Sequence, residues 1–189
     1  CPTTMTYGAV PVLRHVPELA RDWMPKLLSR EYDQRFIPAT QKSGVLIGMG
    51  LTEKQGGSDV RANTTRAEPN GDGTWRLTGH KWFLSAPMCD AFLVTAQTAK
   101  GLSCFFVPRW TPDGRLNEMR IQRFKDKLGD RSNAGTEMEF WGSLGWLVGW
   151  AEKGEDATVF AMNLDIREQR HIGARMQLTQ KILAQLGAI

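Results

Sequence analysis

Residues 49–60 read Met-Gly-Leu-Thr-Glu-Lys-Gln-Gly-Gly-Ser-Asp-Val, and this stretch decides how the rest of the chain is interpreted. The apolar run at residues 44–48 comes directly before it and predicts a β-strand. The strand leads into a loop with two adjacent glycines, Gly56 and Gly57, whose backbone N–H groups can approach a ligand closely. Successive N–H groups in such a turn form a concavity that binds anions. Hydroxyl groups nearby could add hydrogen bonds, although a lone Gly-Gly pair is more often only a tight turn.

The residues after this loop have the pattern of short β-strands. Residues 74–78 alternate with a period of two, and the Asn-Gly and Asp-Gly pairs at residues 70–73 predict a hairpin turn before them. Further strands are predicted at 80–85, 91–97, 102–107, 118–124 and 136–140. Short strands at this spacing predict a mainly β fold, either a sandwich or a barrel.

The N-terminal part of the chain, residues 1–36, is predicted to be helical. Leu19, Trp23 and Leu27 recur every four residues and form one apolar face. We expect Pro25 to kink or restart this helix, because proline lacks the N–H that a helix interior needs.

At the C-terminal end, the pattern predicts a hairpin and a helix. Its two strands are predicted at residues 145–150 and 157–164, with a turn between them. The helix is predicted at residues 174–186, and Gly187 is suited to end it because glycine tolerates the left-handed conformation there.

Composition excludes several classes of protein. A chain of 189 residues with 41% hydrophobic and 23% charged residues is typical of a globular domain rather than a disordered one. No apolar run is long enough to span a membrane. The three cysteines have no disulfide framework or Cys-x-x-Cys spacing, which predicts a reduced, cytoplasmic protein. The three histidines show no metal-ligand pattern.

The net charge of +4 is concentrated before residue 143. The densest basic stretch lies between residues 120 and 131, and it contains Arg120, Arg123, Lys125, Lys127 and Arg131. Such a stripe can attract nucleic acid or the phosphates of coenzyme A. A solvated strand face is the interpretation we favour.

Several separate blocks resemble the middle β domain of acyl-CoA dehydrogenases. The two that carry the resemblance are Thr-Glu-x-x-x-Gly-Ser-Asp-Val at 52–60 and Gly-His-Lys-Trp-Phe-Leu-Ser at 79–85. The closer resemblance is to the AidB branch, flavoproteins linked to the alkylation-damage response. It includes further blocks at residues 1–6, 64–68, 101–108 and 125–134. The resemblance extends from residue 1 to about residue 142.

This resemblance implies FAD as the cofactor and places its contacts in or next to the two main blocks. The candidate contacts are Met49, Leu51, Thr52, Gly57, Ser58, Trp82, Phe83, Leu84 and Ser85. It implies that Phe83 faces the flavin ring and that Ser85 lies near flavin N5. Trp82 is the alternative wall, because a shift of one residue exchanges the two faces of a strand. The competing interpretation is that these aromatic residues are only barrel core.

In the family, the catalytic base is a carboxylate that removes the α-proton of the acyl thioester while the flavin accepts hydride. That base comes from a C-terminal helical domain, as does the DNA-binding region of the AidB branch. We expect both to be missing here, so the prediction is an FAD-binding domain without dehydrogenase activity or DNA binding. An acyl-CoA and a second copy of the chain stay open as partners. Glu53 is interpreted as a surface carboxylate.

The last segment, residues 143–189, departs from that family and resembles the end of class D β-lactamases. Their chemistry needs an activated serine followed by lysine three residues later, and no Ser-x-x-Lys occurs in this chain. The tail is therefore predicted to be structural. The alternatives to a flavin domain are a catalytically silent chimeric scaffold and a class D β-lactamase-related fragment.

The prediction is thus a mainly β (α+β) fold in three parts. Residues 1–36 are the helical remnant of an N-terminal α domain. Residues 37–142 are the flavin-binding β domain, an acyl-CoA-dehydrogenase-like β-barrel. Residues 143–189 are a β-hairpin plus a helix.

Overall fold

The computed structural model describes residues 2–150, except for the side chains of the last two of these residues. The helices are α1 (Pro2–Leu13) and α2 (Pro17–Leu27), and single 3₁₀ turns lie at Ala39–Gln41 and Val60–Ala62. The strands are β1 (Ile47–Gly50), β2 (Arg66–Pro69), β3 (Trp75–Ser85), β4 (Ala91–Thr98), β5 (Gly101–Pro108), β6 (Met119–Phe124) and β7 (Gly135–Trp150). None of the helices in this part of the chain is long and apolar enough to cross a membrane.

The strand pairings close a ring, which confirms the predicted mainly β fold. Strand β3 pairs with β7, β7 with β5, and β5 with β4. Strand β4 then pairs in parallel with β1 and β2, and both of these pair with β3. The short strands β1 and β2 therefore both lie between β3 and β4 in an irregular barrel. Strand β6 pairs only with β7 among the described strands.

Two helices pack on the outside of this ring. In α2, Pro17 occupies the first turn, where a missing N–H costs nothing. Trp23 meets Phe106 edge to face, with ring centroids 4.7 Å apart. Helix α2 continues through Pro25 and is not restarted there, and the predicted helical region ends early, at Leu27.

The core has two layers, one inside the ring and one beneath the helices. The inner layer includes the fully buried Phe92, Phe105 and Phe140. The outer layer includes Leu13 and Leu93 and lies against α1 and α2. Strand β4 is apolar on both faces because it separates these layers. Each large side chain buried in this way contributes about 1.5–3 kcal/mol.

Strand β7 corrects two strand predictions. The segments 136–140 and 145–150, predicted as separate strands, belong to one continuous strand. Gly142 lies between them with φ +83°, at a register shift against β3, and forms a bulge. The predicted domain boundary at residues 142 and 143 falls inside this strand. The predicted strand at 157–164 and the helix at 174–186 lie outside the described residues.

Candidate functional site

The loop after β1 is tied to β3 through its backbone. The Thr52 carbonyl accepts a hydrogen bond from the Trp82 N–H at 2.8 Å. The Leu51 carbonyl accepts one from Asn63 Nδ2 at 2.8 Å. These bonds bring together two blocks that are separate in sequence, so that Thr52 lies beside Trp82 and Phe83.

The Gly-Gly turn folds back onto this loop. The Gly56 N–H donates to the Glu53 carbonyl at 3.1 Å, and Gly56 has φ +131°. A Cβ atom on Gly57 would lie 2.7 Å from Thr52 Oγ1, so only glycine leaves room for the Thr52 side chain. Gly57 and Ser58 are exposed next to it. Thr52 and Gly57 are therefore in close contact, and the exposed Ser58 follows Gly57 directly.

The other candidate residues on β1 and β3 differ in how accessible they are. Met49 pairs directly with Ser85, and both are partly exposed. Met49 packs against the outer core layer beneath the helices. Leu84 is fully buried in the inner core. Leu84 is therefore part of the barrel core, and its carbonyl accepts a buried hydrogen bond from the Thr136 hydroxyl.

Trp82 and Phe83 also differ. The Lys125 ammonium lies 3.1 Å from the centroid of the Trp82 ring and 4.8 Å from that of Phe83. The Arg123 guanidinium approaches Trp82 as well, at 5.5 Å. These cations cover the indole, whereas Phe83 is 37% exposed. Of the two candidate walls for a flat ring, Phe83 is the more accessible.

The basic stripe around these aromatic residues is partly neutralised. Arg123 and Lys125 both bind the Glu137 carboxylate, at 2.5 Å and 2.7 Å. The hydrogen bond from Lys125 is the main reason why the pKa of Glu137 is below its usual value. Arg120 lies 3.8 Å from Glu118, and Lys127 lies 3.6 Å from Asp130. Three carboxylates thus pair with four of the five cations of the stripe, which keeps part of its positive charge.

Glu53, interpreted from the sequence as a surface carboxylate, is only 2% exposed. It forms an ion pair with Lys81 at 2.7 Å, and Lys81 is fully buried. Thr64 and Thr65 each donate both a backbone N–H and a hydroxyl to the same carboxylate. This carboxylate therefore accepts five hydrogen bonds.

Both members of this pair have shifted pKa values. Burial disfavours the charged carboxylate, but the hydrogen bonds from Lys81, Thr64 and Thr65 outweigh it and lower the pKa of Glu53 to about 2. Burial also lowers the pKa of Lys81 to about 8, against the attraction of Glu53. The pair is therefore ionised at neutral pH. A carboxylate with so low a pKa is a poor proton acceptor.

Two clefts lie near these residues, and neither is lined by any of the nine candidate flavin contacts. One, of about 270 Å³, lies between Glu53, His80 and Glu139. His80 Nδ1 is 2.8 Å from Glu139, whereas Nε2 has no hydrogen-bond partner in the described part of the chain. The other, of about 580 Å³, lies between α2 and the turn at residues 110–114.

Metal and thiol chemistry find no support in residues 2–150. No group of three His, Cys, Asp or Glu side chains there is arranged to hold a metal ion. Cys89 and Cys104 are free thiols. Burial raises the pKa of both to about 12, so neither is a thiolate at neutral pH.

The chain matches two family models. The middle domain of acyl-CoA dehydrogenase matches residues 48–142. The N-terminal domain of the adaptive response protein AidB matches residues 1–34. Residues 143–189 lie outside both matches, and their resemblance to class D β-lactamases stays a prediction.

Among similar proteins, AidB of Escherichia coli strain K12 is 59% identical over 155 residues, which are 82% of this chain and 29% of AidB. A crystal structure of Caenorhabditis elegans ACDH-11 in complex with C11-CoA has a TM-score of 0.67 and 31% identity, covering 79% of this chain and 26% of that one.

A Mycobacterium smegmatis glutaryl-CoA dehydrogenase in complex with FADH2 shares the fold. Its TM-score is 0.58 at 24% identity, over 76% of this chain and 34% of that one. The chain therefore spans about a third of the length of these three proteins, or less.

Proposed function

Because the chain belongs to the acyl-CoA dehydrogenase family, we propose that its β domain is of the AidB kind and binds FAD beside the loop after β1. The observation that carries the proposal is the hydrogen bond from the Trp82 N–H to the Thr52 carbonyl. It aligns the two sequence blocks that the family resemblance assigns to the flavin. The resulting surface offers hydroxyl groups and an exposed aromatic ring.

The residues present fit such a cofactor. Thr52 and Ser58 offer hydroxyl hydrogen bonds, and glycine at position 57 leaves room for the Thr52 side chain beside the turn. Phe83 offers a flat apolar wall for a large ring. Ser85 lies at the end of the same strand and would hydrogen-bond to the ring edge near N5. When bound, the flavin supplies the capacity to accept hydride.

We further infer that the 189-residue chain alone does not dehydrogenate acyl-CoA, although an acyl-CoA is its expected ligand class. Flavin reduction needs a base within reach of the substrate's α-proton. Glu53 is adjacent to the flavin surface but is held in five hydrogen bonds with a pKa of about 2. The longer relatives contain sequence that this chain does not span. A reduced, cytoplasmic setting and a monomer or oligomer of this domain are compatible with the proposal.

Equilibrium titration of FAD with the purified chain tests flavin binding. We expect quenching of flavin fluorescence in the micromolar range. The double change Ser58→Ala plus Ser85→Ala should weaken binding about thirtyfold, since two hydrogen bonds to the ligand are worth about 1 kcal/mol each. Phe83→Ala should weaken binding more than Trp82→Phe does, because Lys125 covers the indole.

The absence of quenching at high micromolar protein would contradict flavin binding and favour the catalytically silent scaffold. Equal affinity in the serine double variant would place the site elsewhere. For the enzymatic inference, anaerobic bleaching of the bound flavin by an acyl-CoA would show that this chain has its own base.

A further inference from the structure

We propose that Lys81 and Glu53 are positioning residues for the flavin surface. Their buried ion pair fixes the loop after β1 against β3, so that Thr52 and Phe83 face one ligand together. The inference rests on the proposed FAD binding and extends it to two buried residues that are not among the proposed FAD contacts.

The Glu53–Lys81 pair connects the two segments that carry the proposed FAD contacts, the loop after β1 and strand β3. Glu53 follows Thr52 directly, and Lys81 directly precedes Trp82 and Phe83. The 2.7 Å contact between Lys81 Nζ and Glu53 Oε1 therefore links the residues next to each set of proposed contacts. Lys81 Nζ also lies 3.4 Å from the Leu51 carbonyl, one residue before Thr52.

A third segment holds the carboxylate from its other side. Thr65 Oγ1 donates to Glu53 Oε1 at 2.6 Å, and Thr64 N–H donates to Oε2 at 2.6 Å. This segment can come so close to β3 because residue 79 is glycine. A Cβ atom on Gly79 would lie 2.6 Å from Thr65 Cα, and Gly79 has φ +151°. The carboxylate thus has one position, set by residues from three segments.

The chemistry of the pair indicates a role beyond stability. Burying two charges carries a desolvation cost, and well-packed apolar residues of similar size often stabilise a fold equally well or better. Apolar contacts are non-directional. A charged pair with fully occupied hydrogen bonds instead sets the distance and orientation of the groups it joins. The loop that gains this precision is the one that carries Thr52 and Ser58.

The test compares two double variants of the full 189-residue chain. The variant Lys81→Met plus Glu53→Gln removes both charges and leaves no unpaired ion. The control is Lys42→Met plus Asp90→Asn, which removes another buried pair, also 2.7 Å long and similarly buried. We expect FAD affinity to fall at least tenfold in the first variant and to stay within twofold of wild type in the control. Urea midpoints and far-UV circular dichroism provide the check on folding.

A pH profile separates positioning from a merely structural effect. The pKa of Lys81 is lowered to about 8, so FAD affinity of the wild type should fall as the pH rises above 8 and the ammonium is lost. The Lys42→Met plus Asp90→Asn control should show the same fall, because its Lys81 is intact. The Lys81→Met plus Glu53→Gln variant should show no such fall.

Each outcome decides the inference. If the wild type binds FAD and the Lys81→Met plus Glu53→Gln variant binds it equally well, the positioning role is wrong and flavin binding stands. If the wild type binds no FAD, both proposals are overturned. Should that double variant not fold, the single variant Glu53→Gln and the wild-type pH profile decide in its place. Unchanged affinity in both of these would overturn the inference.

Discussion

The two ends of strand β1 each carry a buried ion pair, and the two pairs look alike when described by distance and burial alone. Lys42 and Asp90 form the pair at the start of the strand, 2.7 Å apart, with side chains 5% and 7% exposed. Glu53 and Lys81 lie after it, also 2.7 Å apart, with side chains 3% and 0% exposed. Their difference lies in which groups surround them.

At the first end, the neighbours are backbone groups that lead into the strand. Asp90 accepts a hydrogen bond from the Leu46 N–H at 2.9 Å, and Lys42 donates to the Asp33 carbonyl at 3.0 Å. At the second end, the neighbours belong to the loop and strand of the proposed flavin surface. The Lys42–Asp90 pair therefore fixes the chain where it enters the barrel. The Glu53–Lys81 pair positions the loop and strand of the proposed flavin surface. For a buried ion pair, neighbours tell more about its role than distance does.

The largest expected effect comes from breaking either pair by removing only its cation. Lys81→Met and Lys42→Met each leave a buried carboxylate without its cation, so each should reduce the free energy of unfolding by about 3–5 kcal/mol. Urea denaturation would measure this. If only one of the two variants is destabilised, the two pairs differ in their contribution to stability as well as in their neighbours, and the claim that they are energetically alike is wrong.

A smaller effect is expected where the chain must approach the second pair closely. Gly79→Ala would place a Cβ atom 2.6 Å from Thr65 Cα at φ +151°, which should cost about 3 kcal/mol through strain and displacement of Thr65. Gly71→Ala is the matched control, because Gly71 also has positive φ, +87°, but nothing within 4 Å. Its cost should be about 1 kcal/mol. Thermal unfolding of the two variants would show whether the close approach itself matters.

The smallest effect is expected for an exposed pair of similar length. Arg76 and Glu68 lie 2.6 Å apart on paired strands, with side chains 58% and 63% exposed. Arg76→Met should change the free energy of unfolding by only about 0–1 kcal/mol, because water screens the attraction. A loss as large as that of Lys81→Met, measured in the same urea titration, would mean that burial is not what separates these pairs.

Sequence patterns predicted most of the strands, because alternation and turn residues are local signals. Strand β2 was missed, since Arg-Ala-Glu-Pro has one apolar residue and a proline that is untypical of a central strand. The break between residues 140 and 145 was predicted wrongly, because pairing with β3 continues β7 across Gly142. Both errors come from contacts made by residues distant in sequence.

The candidate site was predicted unevenly for the same reason. The resemblance selected Thr52 and Phe83, and the structure places their segments side by side. Glu53 was misjudged, because a carboxylate is rarely buried unless it is paired. Its partners are 11, 12 and 28 residues away, and nothing in the intervening sequence marks them. Phe83 is more accessible than Trp82 because Lys125, which is distant in sequence, covers the Trp82 ring.

The ring of strand pairings also has a consequence for how fast the molecule can form. Its closing contacts join distant residues, such as Trp75 with Gly145 and Ser85 with Gly135. The chain must give up the freedom of the long segment between them before the pairing stabilises anything. Proteins dominated by such non-local pairings fold in milliseconds to seconds rather than microseconds. The β4–β5 hairpin, whose partners are close in sequence, has the lowest entropic barrier and is the expected nucleus onto which β3 and β7 close.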